Sequence, residues 1–178
     1  MADSFDQQLD VLRRALDQAG DAIAEVTEEQ LSLSTPCPDW DVTQLISHLI
    51  QDAERFTLGV QGGEADWTTR PEPVTGDWVA DFRSPADELV AAWQDKGSAD
   101  PPGPIWQAAE IAIHTWDLVR ATDQQRELDA GVAEQALAFM SAALTPENRG
   151  DAFADEREAP VDAPAYVRLA AFAGREPA

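Results

Sequence analysis

The sequence is poor in the residue types that most metal and redox sites use. It has one cysteine, Cys37, and two histidines, His48 and His114, among 178 residues. A single cysteine excludes an internal disulfide and a cysteine-rich zinc site. We therefore expect a chain that stays reduced, in which any histidine chemistry uses these two positions.

Positive charge is also scarce. The chain has 12 Lys and Arg against 34 Asp and Glu, which gives a formal net charge of -22. Nucleic-acid binding needs clustered Lys and Arg to neutralise phosphates, and an anionic membrane surface attracts the same residues. The composition therefore predicts a soluble protein with no nucleic acid and no membrane as partners.

Long apolar runs are missing too. None approaches the roughly 20 residues that cross a bilayer. The N-terminus shows no basic stretch followed by an apolar core, as a secretory signal would. We therefore expect a cytoplasmic protein, and at 178 residues it has the length of one domain with a sizeable core.

Apolar residues recur at helical spacing along most of the chain. In the first segment, steps of three and four residues predict an amphipathic helix from Phe5 to Ile23, with Ser4 as its cap. Two prolines then interrupt the pattern. A second helix is predicted to begin after Asp41, because Asp41 and Gln44 have the spacing of a capping box.

Four further helical patterns follow. They are predicted at Trp78–Lys96 (kinked or restarted at Ser84-Pro85), Ile105–Val119, Gly131–Leu144 and Ala163–Ala173. No period-two pattern persists, so no strand is predicted. The sequence predicts an all-α fold, most simply a four-helix bundle with additional short C-terminal helices. We predict a single domain over 1–178, with the bundle in 1–146 and a C-terminal extension in 147–178.

Both histidines fall in predicted long helices, the second and the fourth. Glu110 and His114 are four residues apart, so their side chains share one helix face, with Cβ atoms roughly 5–6 Å apart. A metal reached by both would need a ligand from a facing helix, and His48 is the available candidate. Two His and one carboxylate form a common catalytic ligand set that leaves a coordination position open. Spacing alone is equally compatible with hydrogen-bonded core histidines.

Three stretches of the sequence resemble one family. They are TPCPDWDV at 35–42 running into LISHL at 45–49, EIAIHTWDLVRAT at 110–122, and the closing segment with AFAGREP at 171–177. They resemble the mycothiol-dependent maleylpyruvate isomerase N-terminal domain family, in its short single-domain branch, within the DinB-like superfamily of four-helix bundles. The resemblance implies a divalent metal, commonly zinc, bound by His48, Glu110 and His114, here called the trio. It also implies a low-molecular-weight thiol such as mycothiol as a candidate cofactor.

The maleylpyruvate isomerases themselves carry a second, C-terminal domain that contributes to the active site. This sequence is not long enough for such a domain, so we do not expect it to isomerise maleylpyruvate.

Several neighbours of the trio have two interpretations. Asp52 and Asp117 are placed to orient a ligand imidazole, although in so acidic a chain a solvated surface position is the more ordinary expectation for each. Arg120 would bind an anionic substrate or, more ordinarily, form a surface ion pair. Cys37 is a reactive thiol or a small filler; filler is favoured because nothing basic neighbours it in sequence.

The tryptophans are mostly expected in the core. Trp106 and Trp116 lie on the helix that carries Glu110 and His114, where they would instead line a pocket.

Three functions stay open at this stage. The leading hypothesis is a metal-dependent enzyme whose bound thiol attacks a small electrophile, as a transferase or isomerase. The second is a metal-dependent hydrolase with Asp117 or Asp52 as its base. The third is a non-catalytic metal-binding module with a structural or sensing role. Expected partners are a small-molecule substrate or thiol, and homodimer formation stays open.

Overall fold

The computed structural model describes residues 4–38, 40–99, 103–147, 149 and 153–176. This part of the chain contains a short 3-10 helix at Glu28–Gln30 and six α-helices: α1 Phe5–Ala24, α2 Val42–Val60, α3 Trp78–Lys96, α4 Pro104–Ala121, α5 Ala130–Ala143 and α6 Ala165–Phe172. No β-strand occurs in it, only one isolated bridge between Ser34 and Asp41. The all-α prediction is confirmed, and the helices begin and end close to the predicted residues.

Side-chain caps fix where α1 and α2 begin. Ser4 caps α1 in a capping box with Gln7. At α2, the Gln44 amide donates to Asp41 Oδ1 at 2.8 Å, and the Asp41 amide donates to Gln44 Oε1 at 3.1 Å. Each box satisfies two backbone donors that the first helical turn leaves free. The cap at Asp41 sets the phase of α2, and with it the face on which His48 lies.

The third helix is continuous. α3 runs through Pro85 instead of restarting there with Ser84 as a cap, and it ends at Gly97. Gly97 has φ +67°, a left-handed conformation that a residue without a Cβ adopts at little cost.

The first four helices form a ring around the core. α1 packs against α3 and α4, and α2 packs against the same two helices. α5 covers α1 and α4, while α6 packs on α4 and α5. The largest fully buried side chains come mainly from α1, α2 and α4, among them Leu12, Leu45, Phe56 and Ile111. α4 therefore has neighbours on several sides, and it faces α2 along a seam that holds the trio.

No helix in the described part of the chain is long and apolar enough to cross a membrane.

Candidate metal centre

The fourth helix supplies two members of the trio from one face. His114 Nε2 lies 3.0 Å from Glu110 Oε1, as the spacing of four residues predicts. His114 is only 5% exposed, because α4 is enclosed by the helices around it. His114 is buried and Glu110 is partly buried. Each therefore needs the other as a hydrogen-bond partner in surroundings that are otherwise apolar.

The facing helix α2 supplies the third member. The His48 and His114 rings lie with centroids 4.7 Å apart and planes at 83°. His48 Nε2 is 3.6 Å from Glu110 Oε1. One ligand atom from each residue of the trio lies within 4.8 Å of the other two. The structure thus brings the three predicted residues together, and their role as metal ligands stays a prediction.

The donors of the trio fit a divalent cation. His48 Nε2 is buried and has no hydrogen-bond partner among the described residues, which is costly unless something else satisfies it. Two imidazole nitrogens and one carboxylate oxygen are ligands that zinc prefers. The side chains of His48 and Glu110 are 16% and 23% exposed, so solvent and small molecules reach this side of the cluster.

Trp40 covers both histidines. Its ring centroid lies 4.4 Å from that of His48 and 5.6 Å from that of His114. Trp40 was not among the predicted site residues. The stretch before α2 carries it there, and the Thr35 amide donates to the Trp40 carbonyl at 3.1 Å. Trp40 shields the imidazoles from water and limits their rotation.

Asp117 and Arg175 support His114 from behind. Asp117 Oδ2 lies 3.2 Å from His114 Nδ1, and Arg175 donates to both Asp117 oxygens, at 2.9 and 3.3 Å. Asp117 is fully buried, so the expectation of a solvated side chain was wrong. A carboxylate that accepts Nδ1–H leaves Nε2 facing Glu110 and fixes the ring.

Arg175 was missed because it follows α6, far along the chain from the trio. Its only signal in the sequence is its place in the closing segment that carries the family resemblance.

Asp52 is buried one turn beyond His48. It is 1% exposed, and the expectation of a solvated position was wrong here as well. Its Oδ2 lies 3.0 Å from His48 Nε2, yet neither carboxylate oxygen has a hydrogen-bond partner in the described part of the chain. Asp52 therefore borders the same space as the trio, on the ligand side of His48.

Cys37 lies on the other side of His114. Its sulfur, a His114 ring nitrogen and an Asp117 oxygen also lie within 4.8 Å of one another. Arg175 already donates to Asp117, so a cation there would face a guanidinium charge. That repulsion favours the trio as the metal centre. The expectation that Cys37 has no basic neighbour holds along the sequence but not in space, because Arg175 lies close enough for their charges to interact.

The other candidate residues named from the sequence lie in three different surroundings. Arg120 is exposed and forms no ion pair that the described residues show; its guanidinium lies 5.9 Å from the Trp116 ring centroid instead. Trp116 is buried in the core, at 4% exposure. Trp106 is half-buried and lines a cavity further along the seam.

Burial and hydrogen bonding act in opposite directions on the site's pKa values. Burial raises the pKa of Glu110, but the hydrogen bond with His114 and the nearby His48 outweigh it, and the pKa lies well below its ordinary value. Burial lowers the pKa of His114, but its bonds to Asp117 and Glu110 raise the pKa to about 9. The pKa of Asp52 is raised, chiefly by burial, although His48 opposes the shift.

We expect metal binding to strengthen as the pH rises. Without metal, His114 stays protonated near neutral pH, since its pKa is raised from 6.5 to about 9. A metal ligand must be the neutral imidazole, so binding releases this proton. Affinity should increase about tenfold per pH unit between about pH 7 and 9. Competition with a chromophoric chelator of known pH dependence measures it.

The stability of the metal-free fold depends on pH in the opposite direction, because it falls as the pH rises. Protonated His114 stabilises the fold fully below about pH 6.5, and this contribution is lost as the pH rises through about 9. A metal affinity that stayed constant from about pH 7 to 8 would contradict the prediction that metal binding releases a proton from His114.

Comparison with known proteins shows which family the sequence matches. The mycothiol maleylpyruvate isomerase N-terminal domain profile matches residues 12–119. The chain belongs to this family. The matched stretch contains most of α1 and α4, all of α2 and α3, and every member of the trio. α5, α6 and Arg175 lie outside the matched stretch. The guanidinium that holds Asp117 behind His114 therefore comes from a part of the chain beyond the family profile.

Two relatives extend over nearly the whole chain. They are uncharacterized proteins from two strains of Mycobacterium tuberculosis, each 30% identical over 174 residues, which is 92% of this chain and 94% of the relative. No solved structure matches the chain. The family and its helical fold are therefore shown, together with a link to mycothiol in the family's name.

Proposed function

We propose that this protein is a divalent-metal-dependent enzyme, with zinc as the expected metal, that uses a low-molecular-weight thiol such as mycothiol to attack a small electrophile. The observation that carries the proposal is the meeting of His48, Glu110 and His114, in which the buried His48 Nε2 has no hydrogen-bond partner among the described residues. A transferase or an isomerase would use the same centre. A cytoplasmic location, a homodimer and the single-domain arrangement remain predictions from the sequence.

The trio would hold the cation, which when bound lowers the pKa of a thiol or a water molecule beside it. Glu110 brings one negative charge and the histidines bring none once deprotonated, so a divalent cation together with the trio keeps a positive charge that favours an anionic sulfur. Asp117 and Arg175 keep His114 in one orientation. Trp40 excludes water from the imidazole faces.

Asp52 is the residue placed to move a proton. Its Oδ2 is 3.0 Å from His48 Nε2 and has no hydrogen-bond partner among the described residues. The raised pKa of Asp52 makes it a better proton acceptor than an exposed carboxylate. Asp117, the other base considered for a hydrolase, is held by Arg175 and has a lowered pKa, so it is a poor base. The proton of an incoming thiol therefore passes to Asp52 Oδ2.

We expect thiol binding to require the metal. Titrating mycothiol into metal-free and zinc-loaded protein by calorimetry should give heat only in the loaded state. With 1-chloro-2,4-dinitrobenzene present, sulfur displaces chloride at the ring carbon, and free chloride appears with the conjugate. Asp52→Asn should lower this turnover by about 10²–10⁴-fold, the usual contribution of a general base, with metal content unchanged.

Other outcomes favour the alternative functions. The matched control is Glu54→Gln, an exposed carboxylate of the same helix, which should leave both heats and turnover unchanged. Equal heats with and without metal would mean that the thiol binds elsewhere. Hydrolysis without thiol would support the hydrolase, and a metal-loaded protein with neither activity would support a structural or sensing module.

A further inference from the structure

A cavity of about 220 Å³ lies between α2, α3, α4 and the irregular segment that follows α2. We call it the aromatic cleft, and its defining side chains are Arg55, Phe56, Trp67, Trp93, Lys96 and Trp106. Nothing in the sequence analysis pointed to it beyond the alternative interpretation of Trp106. The segment after α2 forms neither helix nor strand up to the start of α3.

Aromatic rings form its walls. The Phe56 and Trp106 rings lie edge to face with centroids 4.7 Å apart, and Trp67 lies 5.7 Å from Phe56 and 6.3 Å from Trp106. Trp93 is held by a 2.8 Å hydrogen bond from its indole N–H to Gln107. Trp67 is 52% exposed, although it lies against two other rings. An exposed tryptophan beside a cavity offers a face on which a flat ligand ring stacks.

The charge at the cleft differs from that of the rest of the chain. Arg55 has its guanidinium 5.5 Å from the Trp67 ring centroid, and the Lys96 ammonium is 5.5 Å from that of Trp93. No described residue that lines the cleft is acidic, in a protein where Asp and Glu outnumber Lys and Arg by 34 to 12. Two other cavities, one beside Arg13 and one beside Arg14, have both signs in their lining. Arg55 therefore gives the cleft a positive charge that suits an anionic ligand.

The cleft continues the seam that holds the trio. Trp106 precedes Glu110 by one turn of α4, about 6 Å along the helix axis. Phe56 follows His48 by two turns of α2, about 12 Å. The contacts of His48 with His114 and of Phe56 with Trp106 show that the two helices stay adjacent over this distance. The cleft therefore lies about one helical turn, roughly 6 Å, from Glu110 and Asp52 along the same seam.

Size limits what fits. An apolar cavity of about 150 Å³ takes up benzene, and pockets for larger organic ligands begin near 300 Å³. At about 220 Å³ the cleft has room for one substituted six-membered ring. Arg55 keeps further N–H donors beyond the one that bonds to the Thr69 carbonyl.

We propose that the aromatic cleft binds the electrophilic substrate of the metal centre, and that this substrate is a small aromatic carboxylate. Its ring stacks on the exposed face of Trp67, its carboxylate pairs with Arg55, and its reactive end faces the trio. The reactive role rests on the proposed function, but binding itself needs only the cleft.

Binding of trans-cinnamate, followed by NMR titration, tests the cleft. Cinnamamide has the same shape without the charge and should bind about tenfold more weakly, the loss expected for a charge-assisted hydrogen bond. Arg55→Gln should remove that preference. Trp67→Ala, at a half-exposed position that the fold tolerates, should weaken cinnamate about three- to tenfold. Arg70→Gln, an exposed arginine outside the cleft lining, is the matched control and should change nothing.

The measurement is made on metal-free and zinc-loaded protein, so that the two proposals fail separately. Cinnamate binding that depends on Arg55 in both states, without thiol-dependent turnover, supports the cleft and contradicts the proposed function. Thiol-dependent turnover in a protein that does not bind cinnamate supports the proposed function and overturns the cleft. Equal cinnamate affinities in wild type, Arg55→Gln and Trp67→Ala also overturn it, as does a lack of binding at millimolar cinnamate.

Discussion

Purified His114→Ala is expected to contain almost no metal, whereas the wild type carries close to one divalent ion per chain. His114 is the most enclosed member of the trio, and both of its ring nitrogens face carboxylates. Outer-shell partners of a metal ligand are worth 10–100-fold in affinity, so loss of a ligand itself should cost more than about 100-fold. Elemental analysis of protein purified without added metal measures this directly.

A second variant separates loss of the ligand from damage to the packing. Glu110→Gln keeps the side-chain shape and removes the anionic oxygen that lies 3.0 Å from His114 Nε2. It should lose metal to the same extent while remaining helical by circular dichroism. The exposed Glu54→Gln controls for the change in net charge. Wild-type metal content in His114→Ala and Glu110→Gln would refute the trio.

Removing the metal should lower the melting temperature without unfolding the protein. The core contains many fully buried side chains, including Leu12, Phe56 and Ile111, and each contributes roughly 1.5–3 kcal/mol. A metal present at about 100 times its dissociation constant adds about 2.7 kcal/mol by linkage. For a chain of this size that corresponds to a shift of roughly 5–11 °C. Thermal melts of chelated and zinc-loaded protein, followed by circular dichroism, measure it.

The charges left at the metal-free site do not reverse this expectation. His114 is protonated near neutral pH, because Asp117 and Glu110 raise its pKa to about 9, so it partly neutralises Glu110 and Asp117. Small zinc domains unfold without metal because they have no other core, and this protein does have one. A random-coil spectrum of the chelated protein at about 25 °C would show that the metal is structural, and would favour the non-catalytic function.

The family resemblance and the helical spacing predicted different parts of the site. The spacing of Glu110 and His114 placed them on one face whatever surrounds α4. The choice of His48 as their partner depended on its being the only other histidine and on the resemblance. The structure confirms that the three lie together, because α2 and α4 pack side by side.

The sequence misjudged Asp52 and Asp117 for one physical reason. In so acidic a chain each aspartate was expected at a solvated surface position, where most Asp residues lie. α4, which carries Asp117, has α1, α2, α5 and α6 around it, and α2, which carries Asp52, packs against α3 and α4. Both aspartates are therefore buried. Whether a side chain on a helix is buried depends on how many other helices pack around it. The spacing of apolar residues within one helix does not give that number.

The sequence by itself determined the all-α fold, the caps that begin α1 and α2, and the helical positions of the trio. These follow from steps of three and four residues and from side chains that bond to backbone a few residues away. Only the tertiary structure decided the position of Trp40 over the histidines, the bond from Arg175 to Asp117, and the aromatic cleft beside Trp106. Each of these joins segments far apart in the chain, and such contacts depend on how the helices pack against one another.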